Sequence, residues 1–158
     1  MKYRIISVGK IREKFYLQGI NEYLKRLGPY AKIELLDGLE EKVHPRAGQK
    51  DIDKVVAKEG ERVLSLLGDH EILIAFDLAG KLLSSVELAT HIGEWNMSGS
   101  RINLVIGGSH GLSGAVKSRS NQTISLSPLT FPHHLAVLIV CEQIYRGFKI
   151  LKGEPYHK

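Results

Sequence analysis

The alternation of two apolar patterns along the chain most constrains what it can fold into. Short apolar runs, several of them rich in β-branched residues, predict β-strands. Between them, apolar residues recur every three or four positions, as in helices that pack one face against a core. Strands alternating with helices favour an α/β fold, with a mostly parallel sheet and helices on both faces. The predicted strands are residues 3–8, 32–36, 71–77, 102–106 and 123–127.

The helical segments are bounded by capping and breaking residues. A first helix ends at "LGPY", and a polar loop over 37–49 separates the second strand from a charged helix at about 51–67. "SSVELATHIGEW" predicts a helix capped by Ser84 or Ser85. The last helix is expected to begin near Pro132 and to run to about Lys152. The chain has 158 residues and no linker or repeat, which predicts a single domain, 1–158.

Composition excludes several classes of protein. No apolar run is long enough to span a membrane, and the N-terminal segment lacks the apolar core of a signal peptide. The single cysteine, Cys141, cannot form an internal disulfide and lies in an apolar run, which favours a reducing cytoplasm. The formal net charge of +5 is a weak indication of a polyanionic partner.

Three segments leave predicted strands at the edge where ligands bind in parallel α/β sheets: "FDLAGK", "GGSHG" and "SPLTFPH". The glycines after residue 106 allow close approach to the backbone, which suits either a cofactor or a plain tight turn. The spacing matches neither a phosphate-binding loop nor a dinucleotide fingerprint. Pro128 and Pro132 stiffen the third segment, which suits an adenine or methionine moiety or a rigid connector. His133 and His134 have no neighbouring ligand at metal-binding spacing, so no metal is expected.

The last helix carries the strongest local signal. Its seven consecutive apolar residues, Leu135–Cys141, leave no solvent face, which predicts burial on every side and a partner subunit. Glu142 and Arg146 follow one turn apart, in the favourable order for an ion pair. Such a pair fits either an ordinary surface contact or the rim of a cleft between subunits. The closing "GEPYHK" combines turn residues with an aromatic ring and a histidine, an unusual content for a terminus.

Four strings together resemble one known family. "LVIGGSHG", "SLSPLTFPHHL", "EQIYRGFKI" and "GEPYHK" occur in order, and the opening "ISVGKIREKFY" extends the likeness over essentially the whole chain. The sequence is similar to the ribosomal RNA large subunit methyltransferase H family of the SPOUT superfamily. The resemblance implies an α/β fold with a deep C-terminal trefoil knot, an exception to the rule that chains do not thread loops.

The resemblance also implies an activity and its residues. Members are cytoplasmic homodimers that use S-adenosylmethionine, without a metal, to methylate N3 of a pseudouridine in 23S ribosomal RNA, free or in the ribosome. The positions that match the family's cofactor contacts are Phe76, Gly107, Leu126, Ser127, Pro128, Leu129, Thr130 and Phe131. The composite substrate site maps to His133, Glu142, Arg146, Tyr156 and His157, with the tail reaching over the partner's cofactor.

The sequence departs from the family pattern at four positions. Val137 stands where an arginine is usual, His134 replaces glutamine, Leu129 replaces methionine, and Lys158 replaces arginine. The missing helix arginine is expected to remove a contact with RNA or with the other subunit. Two alternatives follow: a SPOUT methyltransferase that acts on another RNA such as tRNA, or a ribosome-binding protein without catalysis.

Overall fold

The computed structural model describes residues 1–158 and contains five strands and five helices. The strands are β1 (Lys2–Ser7), β2 (Lys32–Leu36), β3 (Ile72–Leu82), β4 (Ile102–Ile106) and β5 (Gln122–Ser125). The helices are α1 (Lys14–Leu27), α2 (Gln49–Ser65), α3 (Ser85–Met97), α4 (Gly114–Arg119) and α5 (His133–Leu151). None of the five helices has the length and apolar character needed to cross a membrane.

All five strands form one parallel sheet in the order β2-β1-β4-β3-β5. The predicted α/β class is therefore confirmed. Ser84 is the cap of α3, since its hydroxyl accepts a hydrogen bond from the Glu87 amide at 3.1 Å. The Glu87 carboxylate in turn accepts one from the Ser84 amide at 2.7 Å, which completes a capping box.

The sheet separates two apolar cores, which explains the alternation along its strands. Ile5 and Leu104 point into the larger core with α1, α3 and α5, whereas their neighbours Ile6 and Val105 point into the smaller one. Successive side chains on a strand face opposite sides, so both faces of the sheet are apolar. Helices α2 and α4 pack against each other on the side of the smaller core. Parallel pairing brings the carboxyl ends of the strands to one edge.

Strand β3 is longer than predicted. It continues past Asp77 to Leu82, and β5 pairs with both of its halves: Ile124 lies opposite Phe76 and, after a shift in register, opposite Lys81. Gly80 packs against the β5 backbone, because a Cβ at this position would lie 2.5 Å from the carbonyl carbon of Ile124. The expectation that "FDLAGK" simply leaves the sheet is wrong, since tertiary pairing extends the strand.

Helix α5 is only partly enclosed by its own chain. Val137 and Cys141 are fully buried, whereas Leu135 and Ile139 are half-buried and do not pack against the larger core. The single chain leaves these two residues for a partner subunit to cover, so burial on every side stays a prediction that depends on a dimer. Position 137 faces the core rather than the surface, so the valine there does not remove an exposed contact with RNA or a partner.

Candidate active site at the two ends of the last helix

A cavity of about 750 Å³ opens at the carboxyl edge of the sheet. It lies between the ends of β4 and β5, the bend in β3 and the first turn of α5. Its walls are largely apolar, with Phe76, Ile106 and Phe131 among the lining residues. A cavity of this size suits a small organic ligand, since such sites are mostly apolar clefts of roughly 300–1,000 Å³.

The cavity brings together the three predicted strand-end segments. Seven of the eight predicted cofactor-contact residues line it; the exception is Pro128. The loop after β5 is held by local hydrogen bonds: the Ser127 hydroxyl accepts from the Leu129 amide at 3.0 Å, and its carbonyl from the Ser125 hydroxyl at 3.1 Å. The seven lining residues are Phe76, Gly107, Leu126, Ser127, Leu129, Thr130 and Phe131.

The glycine loop after β4 packs too tightly for a side chain at Gly107. A Cβ at Gly107 would lie 2.8 Å from the carbonyl carbon of Gly111. Gly111 itself has a φ of +79°, a conformation that other residues rarely adopt, and its amide donates to the Gly108 carbonyl at 3.1 Å. At its glycines the loop therefore presents backbone to the cavity, beside Ser109, which also lines it.

Asp77 is a polar group in the cavity wall that the sequence did not single out. Its carboxylate accepts a hydrogen bond from the Ala79 amide at 3.1 Å and lies 3.7 Å from the Lys117 ammonium. Because β3 continues beyond this residue, Asp77 lies in the unpaired stretch of the strand and not in a free loop. The signal that could have found it is its place directly after the buried run "ILIAF".

His133 begins α5 and lies in the cavity wall. One of its ring nitrogens, Nε2, is 3.0 Å from the Lys10 carbonyl oxygen, which is a hydrogen bond if that nitrogen carries the hydrogen. The ring fills the space beside Gly9, where a Cβ would lie 2.6 Å from Nε2. His133 makes no contact with the other four residues of the predicted substrate site, so the structure does not bring that set together within one chain.

Those four residues form a cluster on the second half of α5 and the C-terminal tail, called here the tail cluster: Glu142, Arg146, Tyr156 and His157. Arg146 donates to both oxygens of the Glu142 carboxylate, and the Tyr156 hydroxyl donates to one of them at 3.0 Å. The Arg146 guanidinium also lies 4.7 Å from the centre of the Tyr156 ring. An ordinary surface ion pair, one of the two interpretations of Glu142 and Arg146, does not account for all of these contacts. The pair also holds two residues of the C-terminal tail in place.

The tail cluster fixes the hydrogen-bonding roles of its members. A guanidinium only donates, so the 3.2 Å contact between Arg146 and Nδ1 of His157 requires that nitrogen to accept. Neutral His157 then carries its hydrogen on Nε2 and offers a donor on its free side. Burial, followed by its hydrogen-bonded neighbours, raises the pKa of Tyr156, which keeps that hydroxyl protonated.

The cavity and the tail cluster are separate within one chain: their nearest members on α5, Ala136 and Glu142, are six positions or about 9 Å apart along the helix axis. His133 and Arg146 are thirteen positions apart on a helix that rises about 1.5 Å per residue, so they are about 20 Å apart along its axis. No member of the tail cluster lines the cavity. A single chain therefore carries both parts of the predicted site without joining them.

Comparisons with known proteins agree with this arrangement of strands and loops. The profile of the family described as "Predicted SPOUT methyltransferase" matches residues 1–157. A protein of Syntrophomonas wolfei named "Ribosomal RNA large subunit methyltransferase H" is 60% identical, with full coverage of both chains. The protein of that name from Enterococcus faecalis is 48% identical, again over both full lengths. The chain belongs to the SPOUT methyltransferase family.

A solved structure supports the fold of this SPOUT methyltransferase at lower similarity. The match, described as "a probable methylase family protein from Haemophilus influenzae Rd KW20", has a TM-score of 0.57 and 14% identity. It covers 99% of this chain and 70% of the other. At 14% identity, this similarity supports the fold alone. The predicted membership in the large subunit methyltransferase H family is confirmed by the full-length relatives.

The SPOUT methyltransferase chain has no cluster of three or more histidine, cysteine or acidic side chains that could hold a metal ion. Its single thiol, Cys141, is fully buried in the larger core, and burial raises its pKa to about 12. The thiol is therefore an inert packing group rather than a nucleophile. The polar groups available for chemistry are those of the cavity wall and the tail cluster.

Proposed function

We propose that this protein uses S-adenosylmethionine to methylate N3 of a pseudouridine in large-subunit ribosomal RNA, in the cytoplasm, as a homodimer. The observation that carries the proposal is the division of the site between the two ends of α5, with a ligand cavity at one end and a charged aromatic cluster at the other. The full-length relatives, which bear the name of a ribosomal RNA methyltransferase, support the choice of substrate.

The cavity fits the proposed donor in size and in chemistry. Apolar walls suit an adenine ring, the exposed backbone of the glycine loop suits the polar edges of a nucleoside, and the Asp77 carboxylate suits a cationic head group. Phe76 and Phe131 would hold the ring, and Gly107 would let the ligand approach the backbone. When bound, S-adenosylmethionine supplies an electrophilic methyl group attached to a sulfonium.

One face of α5 suggests how a dimer would join the two parts of the site. Leu135, Ile139, Glu142 and Arg146 recur at helical spacing and lie on one face, and all four are only half-buried. The first two supply apolar area, and the last two belong to the tail cluster. Antiparallel pairing of two such faces about a two-fold axis near Ile139 would place the tail cluster of one subunit beside the cavity of its partner.

The tail cluster would orient the base and stabilise the charge that develops on it. Tyr156, which is held by Glu142 and packs edge-on against Tyr145 with ring centres 4.9 Å apart, offers an aromatic face for stacking. The N3 proton would pass to solvent water, and the Nε2 hydrogen of His157 and the guanidinium of Arg146 would stabilise the anion that is left on the base. Glu142 already accepts bonds from Arg146, Tyr156 and Gln143, so its role is to position them.

Incubation with S-adenosylmethionine and purified ribosomal particles, followed by mapping of the modified bases, tests the proposed function. Methylation of one pseudouridine in large-subunit RNA is the expected result. Modification of tRNA in a parallel reaction, with no change in the ribosomal RNA, would contradict the proposed substrate. Absence of transfer to any RNA from a bound donor would contradict the proposed activity.

A further inference from the structure

The C-terminal tail is anchored to its own chain just before Tyr156 and His157. One oxygen of the Glu154 carboxylate accepts two hydrogen bonds, from the Tyr30 hydroxyl at 2.5 Å and from the Lys149 ammonium at 2.6 Å. Tyr30 lies in the turn between α1 and β2, far from the tail in sequence. The three residues Tyr30, Lys149 and Glu154 are called here the latch. None of them lines the cavity or belongs to the tail cluster.

The latch is tied to the core of the domain. The Lys149 side chain is only 18% exposed, and its ammonium lies 5.6 Å from the centre of the Tyr30 ring and 5.5 Å from that of Tyr145. An ammonium so close to two aromatic rings is attracted to both. The Tyr30 ring in turn stacks on Phe148, a residue of the larger core, with ring centres 5.6 Å apart. The tail is therefore held by ordered groups and not by other mobile side chains.

The backbone at the end of α5 leads the chain into the latch. Gly153 has a φ of +65°, a conformation that other residues rarely adopt, and it follows the last turn of the helix. The amide of Glu154 donates to the Lys149 carbonyl at 3.0 Å. Glu154 is thus fixed both by its amide and by its carboxylate. Only Pro155 separates it from Tyr156, and the fixed φ of proline limits the freedom of that step.

The latch also limits how far the tail can reach. Ala136, the last residue of α5 that lines the cavity, lies thirteen positions before Lys149, or about 20 Å along the helix axis. His157 follows Glu154 by three residues, which span about 10 Å when fully extended. A latched tail therefore falls short of the cavity in its own chain, and only the cavity of a partner subunit is open to it.

We infer that the latch is a positioning device for catalysis, which holds Tyr156 and His157 in place for the partner's cavity before RNA binds. This inference rests on the proposed function, since it takes the tail cluster as part of the active site. The latch residues touch neither donor nor RNA and act only through the tail. Because the tail is ordered in advance, less conformational entropy is lost when the reacting groups come together.

Variants of the latch separate positioning from chemistry. Glu154→Ala removes both hydrogen bonds, and we expect kcat to fall about tenfold with the donor Kd unchanged, because misplaced groups lose rate and not donor binding. Tyr30→Phe removes one donor and keeps the ring on Phe148, so kcat should fall about threefold. Glu154→Gln keeps an acceptor for both donors and should recover most of the activity. Glu94→Ala, which removes an exposed carboxylate paired with His91 on α3, is the matched control.

The decisive measurement is the order of the tail, which needs neither RNA nor donor. NMR relaxation gives the order parameters of the Tyr156 and His157 amides, and we expect about 0.8 in the wild type and below about 0.6 in Glu154→Ala. A second measurement repeats the kinetics in a chain that lacks residues 155–158. Glu154→Ala should cause no further loss of kcat there, because the latch has nothing left to position. A merely structural role would lower kcat by the same factor in both chains.

Order parameters or kcat like those of the wild type in both Glu154→Ala and Tyr30→Phe would overturn the inference. If Glu154→Ala fails to fold, Tyr30→Phe decides alone, since it leaves the ring and its packing in place. An undiminished effect of Glu154→Ala in the chain without its tail would overturn the inference as well. A tail that loosens in both variants of a protein that methylates no ribosomal RNA would contradict the proposed function and leave the latch standing as the means of ordering the tail.

Discussion

The two ends of α5 are built in different ways. At the start of the helix, the cavity is shaped by backbone: a glycine loop that packs on itself and a loop held by its own hydrogen bonds. At the end of the helix, the tail cluster is made of side chains: a carboxylate, a guanidinium, a phenol and an imidazole joined by hydrogen bonds. One region is defined by shape and the other by charge.

This difference determines how each region can be damaged. A backbone-built cavity is sensitive to any added side chain, because no rotamer can move a main-chain atom out of the way. A side-chain cluster near the C-terminus can lose its chemistry while the fold persists, because Tyr156 and His157 are the third- and second-last residues. The cavity should therefore govern donor affinity, and the tail cluster should govern turnover.

Removal of residues 155–158 should give the largest effect on turnover. The truncation deletes the phenol and the imidazole of the tail cluster, and we expect kcat to fall about a thousandfold, because groups that stabilise charge in the transition state contribute on that scale. The affinity for S-adenosylmethionine should change little. Steady-state kinetics with ribosomal particles and calorimetry with the donor measure the two quantities, and Lys152→Ala, at an exposed neighbouring position, is the control.

A fall in donor affinity as large as the fall in kcat would contradict the proposed division between shape and charge. It would mean that the tail belongs to the donor site itself.

Gly107→Val should have the converse effect. The added side chain meets the Gly111 backbone at a distance that real contacts do not reach, so the loop must shift and distort the cavity. We expect the Kd for S-adenosylmethionine to rise about a hundredfold, a loss of roughly 3 kcal/mol. Calorimetry of the folded variant measures it, and Gly48→Ala, outside the cavity wall and with open space around the new methyl group, controls for the glycine itself. Donor binding like that of the wild type would remove the glycine loop from the site.

The sequence predicted the strands and loops of the cavity far better than it predicted how the cavity and the tail cluster come together. The run "INLVI" matches β4 residue for residue, because four apolar residues in five positions, all of them buried together with Asn103, are typical of a central strand. Helix α4 was missed, since six residues are too few to show a helical period. The second half of β3 was missed as well, because it belongs to the strand only through the pairing of Lys81 and Leu82 with β5 after a shift in register.

The position of His133 shows the same limit at the site. Resemblance grouped it with Glu142 and Arg146, yet one helix carries His133 about 20 Å away from Arg146. Spacing along a chain cannot show whether two parts of a site meet within one subunit or between two.

Tyr156→Phe should give the smallest of these effects. The substitution keeps the ring and removes its hydrogen bond to the Glu142 carboxylate, a bond to a charged group that is worth about 1.5–3 kcal/mol. We expect kcat to fall about tenfold with the donor Kd unchanged. Because the pKa of Tyr156 is raised, its hydroxyl stays protonated at mildly alkaline pH, and the alkaline side of the pH–rate profile should be the same in both proteins. An alkaline loss of activity that disappears in the variant would instead identify Tyr156 as a titrating catalytic group.

The most direct test of a site shared between subunits is a heterodimer of two inactive chains. One chain carries Gly107→Val and keeps its tail; the other lacks residues 155–158 and keeps its cavity. If the tail acts on the partner's cavity, the heterodimer contains one whole site, and activity returns when two dead proteins are combined. The account predicts this recovery at about half of the wild-type activity per dimer, since one of two equivalent sites is intact. An inactive heterodimer, together with activity in a dimer of one wild-type chain and one chain that carries both lesions, would contradict it.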